Sequence, residues 1–151
     1  MTETTHGDST RSVHAGERPD PATGSVVPPI HQTTVFAFRD PDHMADVLDR
    51  RTPGHVYTRL GNPTCRAAEE KIAALEGGEE GLVFASGMAA ILSGVLAVVS
   101  AGDHVVAARD IYGQTFEAFR DLLPRFGITV SFVDCRDADA FAAALRPETR
   151  L

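Results

Sequence analysis

Gly81-Leu82-Val83-Phe84-Ala85-Ser86-Gly87-Met88-Ala89-Ala90-Ile91-Leu92 is the stretch on which the reading of this chain turns. The apolar run Leu82 to Ala85 predicts a short buried strand, Ser86-Gly87 a tight turn, and the residues from Met88 an apolar helix. Such a turn leaves backbone N–H groups at a helix start aimed into open space. The positive end of the helix dipole reinforces them. Two readings stand: an anion site, or a simply capped helix.

Downstream, elements alternate. The helix from Gly87 runs to about Ser100, and His104–Arg109 reads as the next strand. A helix from about Gly113 carries Phe116, Phe119 and Leu123 at 3–4 spacing. Ile128–Val133 is a further strand, Ala138–Leu145 a further helix, and Thr149-Arg150-Leu151 the first residues of another strand. Strands alternating with helices predict an α/β fold, a three-layer sandwich with a mostly parallel sheet. Such a sheet is expected to be covered and flanked, so a strand opening at Thr149 reads as truncation of a larger domain.

Upstream, residues 1–29 carry little periodicity and read as an extended arm, either a disordered tail or a segment docked on a neighbour. Ile30–Phe38 has the Val, Phe and Thr content of extended chain. Asp40-Pro41 predicts a capped helix to about Arg51, and Asn62-Pro63 a second. The second helix sets Cys65, Ala68, Ile72 and Leu75 on one stripe and stops at Gly77-Gly78. Residues 1–61 are thus expected to form an arm and loop segment, and 62–151 the first part of an α/β domain.

Bulk properties narrow the classes. Hydrophobic content of 43% and charged content of 23% are globular. A net charge of −7 with no basic stripe argues against nucleic acid or an anionic membrane. The longest apolar run, Met88–Val99, is interrupted by Ser93-Gly94 and is short of the ~20 residues of a membrane span. Met1–Asp20 is polar and is not read as a signal peptide. Cys65 and Cys135 fit no metal or redox spacing, and reduced thiols suit a cytoplasmic protein. The six histidines form no metal-binding pattern, so no metal is expected.

Four places can carry chemistry. Tyr57-Thr58-Arg59 sets a phenol and a guanidinium in a loop before a helix, where arginine suits phosphate or carboxylate oxygens. An ordinary surface arginine is the plainer alternative. Ser86-Gly87-Met88 is the turn described above. Asp110-Ile111-Tyr112-Gly113 follows the carboxyl end of a strand, where ligands sit in open α/β sheets. Tyr112 there could stack on a flat ring or pack on its own loop. Asp134, with Asp137, reads as a helix cap. There is no P-loop and no dinucleotide-binding turn.

Taken together, Val13-His14-Ala15-Gly16, Val27-Pro28-Pro29-Ile30, Tyr57-x-Arg59-x-x-Asn62-Pro63, Ser86-Gly87-Met88-Ala89-Ala90 and Tyr112-Gly113-x-Thr115 follow one another in one order. This closely resembles the trans-sulfuration, or Cys/Met-metabolism, enzymes that use pyridoxal 5′-phosphate. The likeness runs from about residue 10 to the last residue, roughly the first two-fifths of a family chain. It implies the large domain of the fold-type-I pyridoxal-phosphate enzymes. It further implies elimination or replacement at the γ or β carbon of homoserine esters, cystathionine or related sulfur amino acids, in dimers or tetramers. Ser86, Gly87 and Met88 then match the turn that holds the cofactor phosphate. Tyr112 matches the tyrosine that stacks on the pyridine ring and takes part in catalysis. Tyr57 and Arg59 match a pair donated to the neighbouring subunit's phosphate. Gln114 stands where methionine γ-lyases typically carry Cys.

The same resemblance exposes a lack. The chain has 13 arginines and one lysine, Lys71. The family's Schiff-base lysine, the acid on the pyridine nitrogen and the arginine for the substrate carboxylate all lie further along. Lys71, mid-helix, is expected to lie along the Ile72/Leu75 surface with its head in water. The chain alone is therefore expected to be inactive. The alternatives are a non-catalytic subunit that lends its arm and the Tyr57/Arg59 loop to a full-length partner, or a product without function.

Overall fold

The computed structural model describes residues 7–151, which form two compact units, to Val83 and from Phe84. In the first unit, α1 (Asp8–His14) packs on α3 (Pro63–Glu76), and α2 (Pro41–Leu48) lies between them in sequence. The caps follow the sequence closely. Asp40 accepts a hydrogen bond from the His43 N–H at 2.7 Å, with Pro41 at the first helical position. Asn62 does the same for the Thr64 N–H at 2.9 Å, followed by Pro63. Gly77 ends α3 in the left-handed region at φ 68°.

The supposed extended arm is helical over Asp8–His14 and docks within its own chain. The Arg11 guanidinium donates to the Ala74 carbonyl at 2.8 Å. Gly16, at φ +71°, brings its backbone so close to α3 that a Cβ would stand 2.1 Å from the Ala67 oxygen. This corrects the expected face of α3. Ile72 and Leu75 are 49% and 39% exposed, and Cys65 is exposed as well. The docking face is the one with Ala67 and Ala74, because small side chains admit a backbone at close range. Lys71 shares that face. Its ammonium pairs with the Glu17 carboxylate and lies 3.5 Å from the Val13 carbonyl, instead of reaching into water.

Within 30–38, extended chain is paired only at the isolated antiparallel bridge Val35–Tyr57. The Phe36 N–H donates to the Val56 carbonyl, and the Thr58 N–H to the Thr34 carbonyl at 2.9 Å.

The second unit is α/β with a parallel sheet. It runs α4 (Gly87–Val98), β1 (His104–Ala108), α5 (Gly113–Glu117), β2 (Thr129–Val133) and α6 (Ala138–Ala144). β1 and β2 pair in parallel from His104–Thr129 to Ala108–Val133. Thr149 makes a parallel bridge on the other side of His104, so the strand expected there does begin and β1 is central. Asp137 caps α6 by accepting from the Ala140 N–H at 3.0 Å.

α5 continues as a π-helical turn, Ala118–Leu122, and a 3-10 turn, Leu123–Phe126. The cause is Pro124, which has no N–H and whose ring would strike the Arg120 carbonyl in a regular helix. Phe119 (7% exposed) and Leu123 (0%) still reach the core, with Val95, Val99, Val105, Ala107 and Ile128. Full burial of a side chain such as Leu123 contributes about 1.5–3 kcal/mol.

The expected strand at Leu82–Ala85 is not one. The segment is unpaired, and Leu82 is 75% exposed. A strand exists only through a neighbour that accepts and donates along it, and no described residue supplies one there.

His104 anchors the sheet. It is 1% exposed, with Nδ1 2.8 Å from the Thr149 hydroxyl and Nε2 2.9 Å from the Ser131 hydroxyl. The Arg146 guanidinium already donates to the Ser131 oxygen at 3.0 Å, and the Arg146 N–H to the Thr149 oxygen at 2.8 Å. Burial pushes the imidazole below its usual range, helped by the Arg146 charge and opposed by Glu148.

Candidate functional site

The start of α4 is capped by Ser86 and leaves two backbone N–H groups without a partner among the described residues. Ser86 is extended, at φ −154° and ψ 155°, and its hydroxyl accepts from the Ala89 N–H at 3.1 Å. Its carbonyl accepts from the Ala90 N–H at 3.1 Å. Gly87 and Met88 sit in the first helical turn, where N–H groups have no carbonyl behind them within the helix. Nothing lies within 4 Å of a Cβ placed on Gly87, so the space beside that residue is open. Two free backbone donors, a capping hydroxyl and the positive end of a 12-residue helix suit a phosphate group.

Tyr112 belongs to the same unit. It directly precedes α5, beyond the carboxyl end of β1, and is 67% exposed. Its carbonyl accepts from the Phe116 N–H at 3.0 Å, which fixes its backbone while the ring stays clear of the core. The Thr115 hydroxyl, one turn on, donates to Met88 Sδ at 3.6 Å. That contact makes the first turns of α4 and α5 neighbours, so the two N–H groups at the start of α4 and an exposed aromatic residue share one end of the sheet.

Beside them, on the ends of β1 and β2, Asp110, Asp134 and Cys135 bring their ligand atoms within 4.8 Å of one another. Asp134 forms an ion pair with Arg136 at 2.7 Å. Hydrogen bonds from the Arg136 side chain and N–H hold its carboxyl down to about 2. Sequence spacing gives no sign of this trio, because strand register alone brings it together.

Tyr57 and Arg59 lie in the first unit. The Arg59 guanidinium carbon stands 5.2 Å from the centre of the Tyr57 ring, a cation–π contact. Arg59 is exposed, and no carboxylate among the described residues pairs with it. The loop is held from below. The Thr58 hydroxyl donates to the Thr33 carbonyl, and the Leu60 and Gly61 N–H groups donate to the Tyr57 carbonyl at 2.8 and 3.2 Å. Sequence reading takes Asn62 as a cap only. In the structure it also reaches His31 and Thr58, a contact no local pattern reveals.

Comparison with known proteins completes the description. A family model described as "Cys/Met metabolism PLP-dependent enzyme" matches residues 9–151. The chain is similar to the O-acetyl-L-homoserine sulfhydrylase of Leptospira meyeri, 41% identical over 141 residues, which are 93% of this chain and 32% of that protein. It is 40% identical to the L-methionine gamma-lyase of Treponema denticola, over 96% of this chain and 36% of that one. Among solved structures it resembles metB from Corynebacterium glutamicum. There the TM-score is 0.87 and the identity 36%, over 99% of this chain and 37% of the other. The chain spans about a third of the length of the curated relatives it matches.

Proposed function

Since the chain belongs to the Cys/Met metabolism family of pyridoxal-phosphate-dependent enzymes, we propose that it forms the phosphate- and ring-holding part of a trans-sulfuration enzyme. Its reaction is elimination or replacement at the γ or β carbon of a homoserine ester, cystathionine or a related sulfur amino acid. The observation that carries this reading is the start of α4, whose Gly87 and Met88 N–H groups have no partner among the described residues, at the same end of the sheet as the exposed Tyr112.

Each residue then has a task. The Gly87 and Met88 N–H groups bind the cofactor phosphate, and Ser86 keeps the turn in shape by holding the Ala89 N–H. Tyr112, exposed just before α5, would hold the pyridine ring of the bound cofactor and keep a proton at its phenol oxygen. Arg59, steadied on Tyr57, meets a phosphate held by a second subunit. When bound, the cofactor supplies an electron sink for bond breaking next to the α carbon of an amino acid.

The chain's only side-chain amine is engaged with Glu17 and the Val13 carbonyl. That favours a second reading: this chain works as a subunit that lends the Tyr57/Arg59 loop to a fuller partner and does not turn over alone. Among the described residues no helix is long and apolar enough to cross a membrane.

Titration with pyridoxal 5′-phosphate and with pyridoxal tests the site. The phosphate-bearing form is expected to bind at least ~10-fold more tightly, the scale of one charge-assisted contact. Equal binding of the two sinks the assignment of Ser86-Gly87-Met88.

A further inference from the structure

Among the described residues of the first unit, Asn62 is the one buried polar side chain, at 4% exposure. A helix cap needs only its Oδ1, which takes the Thr64 N–H at 2.9 Å. Serine, threonine or aspartate would serve that purpose as well. The amide nitrogen does something else. One hydrogen goes to the His31 carbonyl at 3.0 Å and the other to the Thr58 hydroxyl at 3.1 Å. The orientation is unambiguous, since a flipped amide would aim oxygen at the His31 carbonyl and nitrogen at the Thr64 N–H. Thr58 passes the direction on, because its own hydrogen is committed to the Thr33 carbonyl. A second tie runs beside the first, from the His31 N–H to the Thr64 hydroxyl at 2.9 Å.

Three segments meet at this amide: the chain near His31, the first turn of α3, and the residue between Tyr57 and Arg59. The geometry points to Asn62 as a positioning residue that, through Thr58, sets where the Arg59 guanidinium stands. This rests on the reading of Arg59 as a phosphate clamp. Asn62 touches no ligand itself. Its carboxamide couples the helix start to the loop, so the loop's place depends on a group that helix capping alone does not require.

Asn62→Ser keeps a capping oxygen and removes both amide donors. Thr58→Val cuts the relay at its next member, and Thr58→Ser restores it. Two readouts apply to the chain itself: amide hydrogen exchange of residues 57–61, and the NMR shift of the Arg59 Nε–H during titration with inorganic phosphate. The expected result is faster exchange in that loop for Asn62→Ser and Thr58→Val, with exchange in the second unit unchanged. Phosphate affinity at Arg59 is expected to weaken roughly 10-fold, the scale of one misplaced charge-assisted contact, and Thr58→Ser to match the parent. Thr58→Val also serves if Asn62→Ser fails to fold. Parent-like exchange and parent-like phosphate affinity in both variants would overturn the positioning role. Faster loop exchange with an Arg59 signal that ignores phosphate even in the parent would sink the clamp reading and leave the loop-positioning role standing.

Discussion

Replacing His104 with alanine strikes the sheet of the second unit at its centre, and the cost can be worked from its neighbours. Two hydrogen bonds go, to Thr149 and Ser131, each about 0.5–1.5 kcal/mol. A side chain only 1% exposed also leaves a cavity, which adds about 2 kcal/mol. The sum is about 3–5 kcal/mol, a large part of the ~5–15 kcal/mol that holds most domains. In a chain of this size it lowers the melting temperature by roughly 10 °C. The pH dependence has a definite sign. The folded imidazole titrates below the ordinary histidine value of 6.5, so between the two values the unfolded chain binds the proton and the native chain does not. Stability from this group is full above pH 6.5 and is lost as pH falls from there toward the folded value. Burial explains why, since it penalises the charged imidazolium, and the nearby Arg146 charge adds to the penalty against a smaller opposing effect of Glu148. Thermal melts from pH 8 to pH 5 on parent and His104→Ala check this. The gap between them should be widest above pH 7 and narrow as pH falls. Parallel curves, or a gap within ~2 °C at pH 8, would refute the reasoning.

Three further outcomes are open to measurement. Ser86→Ala removes the cap on α4 and should cost about 1 kcal/mol in thermal or denaturant melts, with unchanged stability as the contrary result. Gly16→Ala meets the Ala67 oxygen in a left-handed backbone, so α1 should leave α3 and limited proteolysis should cut near residues 15–30 sooner; an identical cleavage pattern would show that the close approach is not needed. Borohydride reduction with stoichiometric pyridoxal 5′-phosphate should leave Lys71 unlabelled, because Glu17 and the Val13 carbonyl hold its ammonium, and quantitative labelling in a peptide map would contradict that.

What could be read from sequence was whatever is decided within a few residues. Asp40-Pro41, Asn62-Pro63, Ser86, Asp137 and Gly77 all cap where the sequence says. The order of α4, β1, α5, β2 and α6 follows from period alone, and the Ser86-Gly87 turn stands as drawn. Pairing and docking lie beyond that reach. Leu82–Ala85 has the composition of a strand and no neighbour to make it one. The Ile72/Leu75 stripe is real as a pattern, yet α1 takes the Ala67/Ala74 side because Gly16 fits there. His104 reads as the first residue of a strand, and only the register shows it holding Ser131 and Thr149 together.

The π-helical turn at Ala118–Leu122 sets a count as well as a shape. Such a turn holds one residue more than a regular helix would, and each residue turns a helix by about 100°. Phe119 and Leu123 anchor the turn to the core, so everything before it is aimed by how many residues the turn contains. Deleting the exposed Arg120 would leave every apolar anchor and Pro124 in the sequence, and the loss of one residue between Phe119 and Leu123 would turn everything before it, Tyr112 included, by about 100°. In this segment an exchange of an exposed side chain leaves the count intact, whereas an insertion or deletion of a single residue redirects the ring.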